Sequence, residues 1–136
     1  MKLISACLVG INCRYDGTNC LNEKGRKLAT REAWIPVCPE QLGGLGTPRE
    51  PMRILGGGGS DVLNGTAKAV NTRGEDVTAH LMKGAEEVAK IAMMFGVREA
   101  IMKAGSPSCG CDESLEGVTT AMLKRKGIRV TTEEEL

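Results

Sequence analysis

Three short apolar runs in this chain lead into a cysteine, and any fold has to account for all three. Leu3-Ile4-Ser5-Ala6 ends in Cys7, and Trp34-Ile35-Pro36-Val37 ends in Cys38. Ala100-Ile101-Met102 leads into Ser106-Pro107-Ser108-Cys109-Gly110-Cys111. Runs this short and apolar, bounded by glycine, proline and polar residues, read as buried strands spanning Leu3 to Leu8, Trp34 to Val37 and Arg98 to Ala104. A last strand is expected from Ile128 to Thr131.

Helical patterns separate these runs. Val77, Leu81, Gly84 or Ala85, Val88, Ala92 and Phe95 recur at three- and four-residue steps, giving one buried stripe that stops at Gly96. Met93 and Met94 follow that stripe and are expected as core filler. A further helix is expected from Asn22 to Glu32, with Asn22 as its cap and Gly25 as a weak point, and another from Glu116 to Lys126. Strands alternating with helices predict an α/β fold: a single three-layer, Rossmann-like domain over residues 1–136 with a mainly parallel sheet. Ligands in open sheets of this kind bind beyond the carboxyl ends of the strands. Cys7, Cys38 and Cys109 are all expected at that edge.

Other segments are less regular. Gln41 to Pro51 is dense in glycine and proline. Gly56 to Gly59 is expected as the exposed, flexible tip of a glycine-rich β excursion around residues 52–70, with short strands at Ile54-Leu55, Asp61-Val62-Leu63 and Ala67 to Val70. No Gly-Lys-Ser/Thr follows the glycine run, so it does not read as a phosphate loop. Glu133-Glu134-Glu135 is expected as an exposed acidic tail.

Bulk properties narrow the partners. The net charge is +1 and aromatics are 2% of the chain, which disfavours a nucleic-acid polymer. No start resembles a signal peptide, and no run approaches the roughly 20 apolar residues of a membrane span. A cytoplasmic location is expected, where thiols stay reduced. The six cysteines then read as metal ligands or reactive thiols, or as small buried hydrophobes, rather than disulfides. Four thiolates usually close a zinc or iron–sulfur site, whereas three from separate loops leave one position open. No Cys-x-x-Cys pair is present, and Cys13, Cys20 and Cys111 are spare.

Ser5-Ala6-Cys7-Leu8-Val9-Gly10, Cys13-Arg14-Tyr15-Asp16-Gly17, Val37-Cys38-Pro39-Glu40 with Gly44-Leu45 and Pro48-Arg49, Asp76-Val77-Thr78 and Ser106-Pro107-Ser108-Cys109-Gly110 stand in a characteristic order. On these motifs, nearly the whole chain resembles the small bacterial family long catalogued as domain of unknown function 523, now associated with thiouracil desulfidases. The resemblance implies a [4Fe-4S] cluster on Cys7, Cys38 and Cys109, with the fourth iron free to bind a thiocarbonyl sulfur. The implied reaction replaces C=S by C=O on a small thiolated pyrimidine base or nucleoside. Two segments depart from the family pattern. Cys111-Asp112-Glu113-Ser114-Leu115 is short, and Met52-Arg53 stands where an acidic residue is expected.

Within that reading Glu40 is the candidate to activate water or relay its proton, the alternative being a carboxylate bonded to backbone amides. Ser108 is a candidate catalytic hydroxyl and Ser106 a substrate contact; both are equally suited to capping the turn. Arg14 and Arg49 are candidates to hold a carbonyl or anionic group, or else ion pairs with Asp16 or Glu50. Tyr15 is suited to stacking on a flat ring or to core packing. His80 reads as a surface residue. The competing functions are a non-catalytic iron–sulfur or zinc protein that senses or carries sulfur or metal, and an α/β domain with merely buried thiols. The expected partner is a small sulfur-containing molecule.

Overall fold

The computed structural model describes residues 1–110 and 116–136. Its centre is a four-stranded parallel sheet. In chain order, β1 spans Lys2–Ser5 and runs into a 3-10 turn, Ala6–Val9. Helix α1 (Glu23–Arg31) leads to β2 (Trp34–Val37) and the short α2 (Pro39–Leu42). After β3 (Met52–Leu55), α3 (Gly59–Leu63) and β4 (Lys68–Asn71) comes the long α4, Thr78–Met94. Strand β5 (Glu99–Met102), helix α5 (Val118–Arg125), β6 (Arg129–Thr132) and a 3-10 turn at Glu133–Glu135 complete the chain.

The order across the parallel sheet is β2-β1-β5-β6. Leu3 lies opposite Ile35 on one side and Ala100 on the other. Alternation along the strands feeds two cores. Leu3, Ala100, Met102 and Val130 pack with Val88, Ala92 and Leu123 of α4 and α5. Ile4 and Ile101 face the opposite side, where Leu28 of α1 and Trp34 pack. This is the expected α/β architecture, with helices on both faces of a parallel sheet. The chain leaves β1 toward β2 and β5 toward β6, so the strand order reverses between β1 and β5. Loops diverge at such a point and leave a crevice.

Several sequence expectations are corrected. The first strand stops at Ser5, and Gly10 at φ 94° turns the chain away, so Cys7 sits within the 3-10 turn. Gly25 is buried in α1 beside Ile4, where a Cβ would make ordinary contact at 3.6 Å. Residues 52–71 contain the antiparallel pair β3–β4, but Asp61-Val62-Leu63 is helical. Gly59 is no flexible tip: a Cβ there would stand 2.2 Å from the Gly117 carbonyl oxygen. At the end of α4, Met93, Met94 and Phe95 are exposed, because the turn at Gly96 hands the core position to Val97. Nor is the C-terminal segment a free acidic tail, since the Glu133 side chain is 12% exposed and ion-paired to Lys103.

Candidate functional site

Cys38 follows β2, Cys7 follows β1 and Cys109 follows β5, so three neighbouring strands deliver a thiol to the same edge of the sheet. Together with Cys13 they line one cavity of ≈ 210 Å³ at the reversal of strand order. All are free thiols. Cys20 packs in the core beside α1 and does not line the cavity. Cys111 and the shortened segment after it lie outside the described residues. Met52, the other departure from the family pattern, borders the cavity with Pro51.

The Cys38 thiol donates to the Cys13 carbonyl at 3.7 Å. Cys13 interacts with the thiols of both Cys38 and Cys7. The Cys38 neighbour pulls the Cys13 pKa down, but the Cys7 contact and burial outweigh it and the net shift is upward. Cys38 is raised far more, by its bond to Cys13 and then by burial. Burial pushes Cys109 up to about 12, against the favourable bonds from Ser5 and Ser106. Neutral thiols are the expected state of such a site without metal, and metal loading would displace their protons.

The loop carrying Cys38 is secured by charge. Proline at the first position of α2 suits a helix start. Arg49 Nε donates to Glu40 Oε2 at 2.7 Å, and its Nη2 reaches the same oxygen. The side chains are only 8% and 11% exposed. Nη2 also donates to the Cys13 carbonyl at 2.8 Å, and Nη1 to Thr47 Oγ1 at 3.1 Å. One guanidinium thus ties together the Cys13 turn, the Glu40 carboxylate and the turn at Thr47. Arg49 lines the cavity, but its fork is occupied; its ion-pair partner is Glu40 rather than Glu50, which pairs with Arg73.

Backbone contacts secure the loop carrying Cys109. Ser106 Oγ accepts from the amides of Ser108 (3.2 Å) and Cys109 (3.1 Å). Thr120 Oγ1 donates to the Cys109 carbonyl at 2.8 Å. A Cβ on Gly117 would lie 2.3 Å from the Ser108 carbonyl group, so only glycine lets the start of α5 close on this loop. Ser106 lines the cavity; Ser108 is 1% exposed and instead donates to Glu40 Oε1 at 3.2 Å. Glu40 therefore bonds to side chains, not to the glycine-loop amides its alternative reading proposes.

Arg14 and Tyr15 stand on the cavity wall, with the guanidinium 5.5 Å from the ring centroid. Tyr15 is 39% exposed, which removes the core-packing alternative. Asp16 bonds Thr18 and only senses Arg14 through space. His80 is exposed on α4, its Nδ1 2.8 Å from the Gly43 carbonyl oxygen. Two cavity residues escaped the sequence reading. Ser5 is buried, accepts from the Lys103 amide at 2.8 Å and donates to Met102 Sδ at 3.8 Å. Lys103 pairs with Glu133, thirty residues on in a segment that looked free.

The donor set is soft, which suits iron–sulfur or zinc chemistry. Among the described residues no three His, Cys, Asp or Glu side chains converge on a position for a single metal ion. Thiols spread around one cavity fit a multi-iron group, in which each thiolate binds a different iron.

The sequence family described as 2-thiouracil desulfurase matches residues 3–135. "Uncharacterized protein YbbK" of Bacillus subtilis (strain 168) is 46% identical over 147 aligned positions, covering 100% of this chain and 97% of the relative. Among solved structures, that of the [4Fe-4S]-dependent thiouracil desulfidase TudS (DUF523Vcz) matches with a TM-score of 0.84 at 36% identity. The match covers 99% of this chain and 91% of the other. Among the described residues no helix is long and apolar enough to cross a membrane.

Proposed function

The chain belongs to the 2-thiouracil desulfurase family, and on that premise we propose that it converts C=S to C=O on a small thiolated pyrimidine, releasing hydrogen sulfide. The reading is supported above all by one juxtaposition: three thiols from adjacent parallel strands share a cavity with a buried carboxylate, Glu40. Cys7, Cys38 and Cys109 would hold a [4Fe-4S] cluster there, leaving Cys13 as an additional thiol of the wall. When bound, such a cluster would supply Lewis-acid chemistry that polarises a thiocarbonyl.

The remaining chemistry falls to side chains of this chain. Glu40 holds the attacking water by a carboxylate lone pair, takes its proton as the oxygen adds to carbon, and returns it to sulfur as the C–S bond breaks; the proton of the added hydroxyl leaves with the sulfide as C=O forms. Arg49 and the Ser108 hydroxyl fix both carboxylate oxygens in place beforehand, so the base is oriented before substrate arrives. Ser108 acts through Glu40, while Ser106 is the serine whose hydroxyl faces the substrate. Tyr15 stacks on the planar ring, and Arg14 beside it donates to a ring carbonyl. Overall, water replaces sulfur at one carbon, with no net electron transfer.

Anaerobically reconstituted protein, incubated with 4-thiouracil, tests the reading by its release of uracil and sulfide. The expected result is stoichiometric uracil and sulfide from a brown, iron-loaded protein, lost in Glu40→Gln with iron retained. Loaded protein that converts neither thiouracils nor their nucleosides would instead favour a role in sulfur or metal sensing.

A further inference from the structure

The cavity wall includes a lysine whose restraint comes from the opposite end of the chain. Lys103 lies just past β5 and lines the cavity beside Cys7. Its amide is fixed on the buried Ser5 hydroxyl at 2.8 Å. Its ammonium donates to Glu133 Oε1 at 2.9 Å and to the Ala104 carbonyl at 2.7 Å. Glu133 is anchored in turn, its two carboxylate oxygens accepting from the Ala104 amide at 3.2 and 2.9 Å. Leu136 packs against the core beside α1, and its carbonyl oxygen accepts from Lys24 Nζ at 2.9 Å. The C-terminal turn is therefore a clamp on Lys103.

An ammonium has three N–H donors. Two are used, and among the described residues the third has no acceptor. The ammonium also lies within electrostatic range of the Cys7 and Cys20 thiols. Of the other charges on the cavity wall, Glu40 and Arg49 neutralise each other and Arg14 lies over Tyr15. Lys103 is thus a preoriented, ion-paired ammonium with a third N–H beyond those two bonds, on a residue of the wall that carries the thiols.

We propose that Lys103, held in place by the positioning residue Glu133, forms a subsite for anionic sulfur: the thiolate form of a thiolated base or the hydrosulfide that leaves it. Lys103 makes and breaks no covalent bond and keeps its proton; it donates one hydrogen bond to sulfur while negative charge resides there. The inference rests on the desulfidase reading for the identity of the sulfur compound, but its test does not need turnover.

The test is anaerobic titration calorimetry of iron-loaded protein with sodium hydrosulfide and with 4-thiouracil, using uracil as a neutral, sulfur-free comparator. Losing a charge-assisted hydrogen bond is expected to weaken binding of the sulfur ligands about tenfold or more in Lys103→Gln. Uracil affinity and iron content should stay at wild-type values, and Lys103→Arg should restore most of the loss. Weakening confined to hydrosulfide assigns the subsite to the product; weakening confined to 4-thiouracil assigns it to the substrate. Glu133→Gln, which keeps the cation but releases the clamp, should weaken the same ligands by a smaller factor at unchanged iron content. It also serves as the second variant if Lys103→Gln fails to hold iron. Unchanged affinity for both sulfur ligands in loaded Lys103→Gln, or in Glu133→Gln, would overturn the proposal, as would an equal loss for uracil. Loaded wild type that binds hydrosulfide through Lys103 yet converts no thiolated base would sink the desulfidase reading alone.

Discussion

The loops bearing Cys38 and Cys109 deliver their thiols to one cavity by different means. Side-chain charge holds the first: Arg49 bonds Glu40, the Cys13 carbonyl and Thr47 from a position almost out of solvent. Hydroxyl-to-backbone bonds and a missing side chain hold the second: Ser106 Oγ accepts two amides, and Gly117 closes on the Ser108 carbonyl. A charge-held loop can be repaired by removing the second charge. A loop held by backbone contact has no second side chain to remove. Both loops seat a thiol, but the Cys38 loop depends on a buried ion pair and the Cys109 loop on close backbone approach.

The largest expected effect is on the charge-held loop. Arg49→Met leaves Glu40 buried and unpaired, and should lower stability by about 3–5 kcal/mol in denaturant unfolding. Adding Glu40→Leu to Arg49→Met should recover most of that loss, because a buried pair replaced by apolar residues is near neutral. Desulfidation should remain absent in the double variant, which separates stability from chemistry. Failure of the second change to restore stability would place the loss in the Arg49 bonds to the Cys13 carbonyl and Thr47 rather than in the unpaired carboxylate.

Gly117→Ala comes next. Its Cβ meets backbone atoms of Ser108 and Cys109 at 2.3–2.6 Å, none of which can rotate away. Overpacking of this kind costs about 1–3 kcal/mol, and iron retention after gel filtration should fall with it. Wild-type stability in this variant would mean that α5 and the Cys109 loop are not in backbone contact. Ser106→Ala removes the oxygen that accepts two amides and should cost about 1 kcal/mol, as loss of a cap does. A Ser106→Thr variant keeping that oxygen should lose less.

The smallest effect lies outside both loops. The bond from Thr78 lowers the pKa of Asp76 below the ordinary 3.8. A carboxylate with a depressed folded-state pKa stabilises above its unfolded pKa and loses that contribution as pH falls through the folded value. Asp76→Asn should therefore be less stable than wild type at neutral pH, with the gap closing in acid below the usual aspartate range. A gap unchanged by pH would rule out the charge as its source.

What was legible in the sequence follows the same division. Strand ends are written in local pattern, so Cys7, Cys38 and Cys109 could be brought to one edge without any coordinates. The partner of Glu40 was not, because Arg49 lies across an aperiodic glycine–proline segment where spacing carries no geometry. Lys103 and Glu133 meet through the sheet alone, β5 beside β6. Asp61-Val62-Leu63 is too short for a period to distinguish strand from helix. Gly59 and Gly117 were unreadable for a different reason: glycine selected for close approach looks the same in sequence as glycine selected for a turn.

The central claim is that Cys7, Cys38 and Cys109 carry the iron. Iron and acid-labile sulfide per chain, measured after anaerobic reconstitution of single Cys→Ala variants, test it directly. Each of those three substitutions should abolish stable loading, while Cys20→Ala should load like wild type. Full iron and sulfide in all three, or a loss confined to Cys13→Ala, would contradict the account.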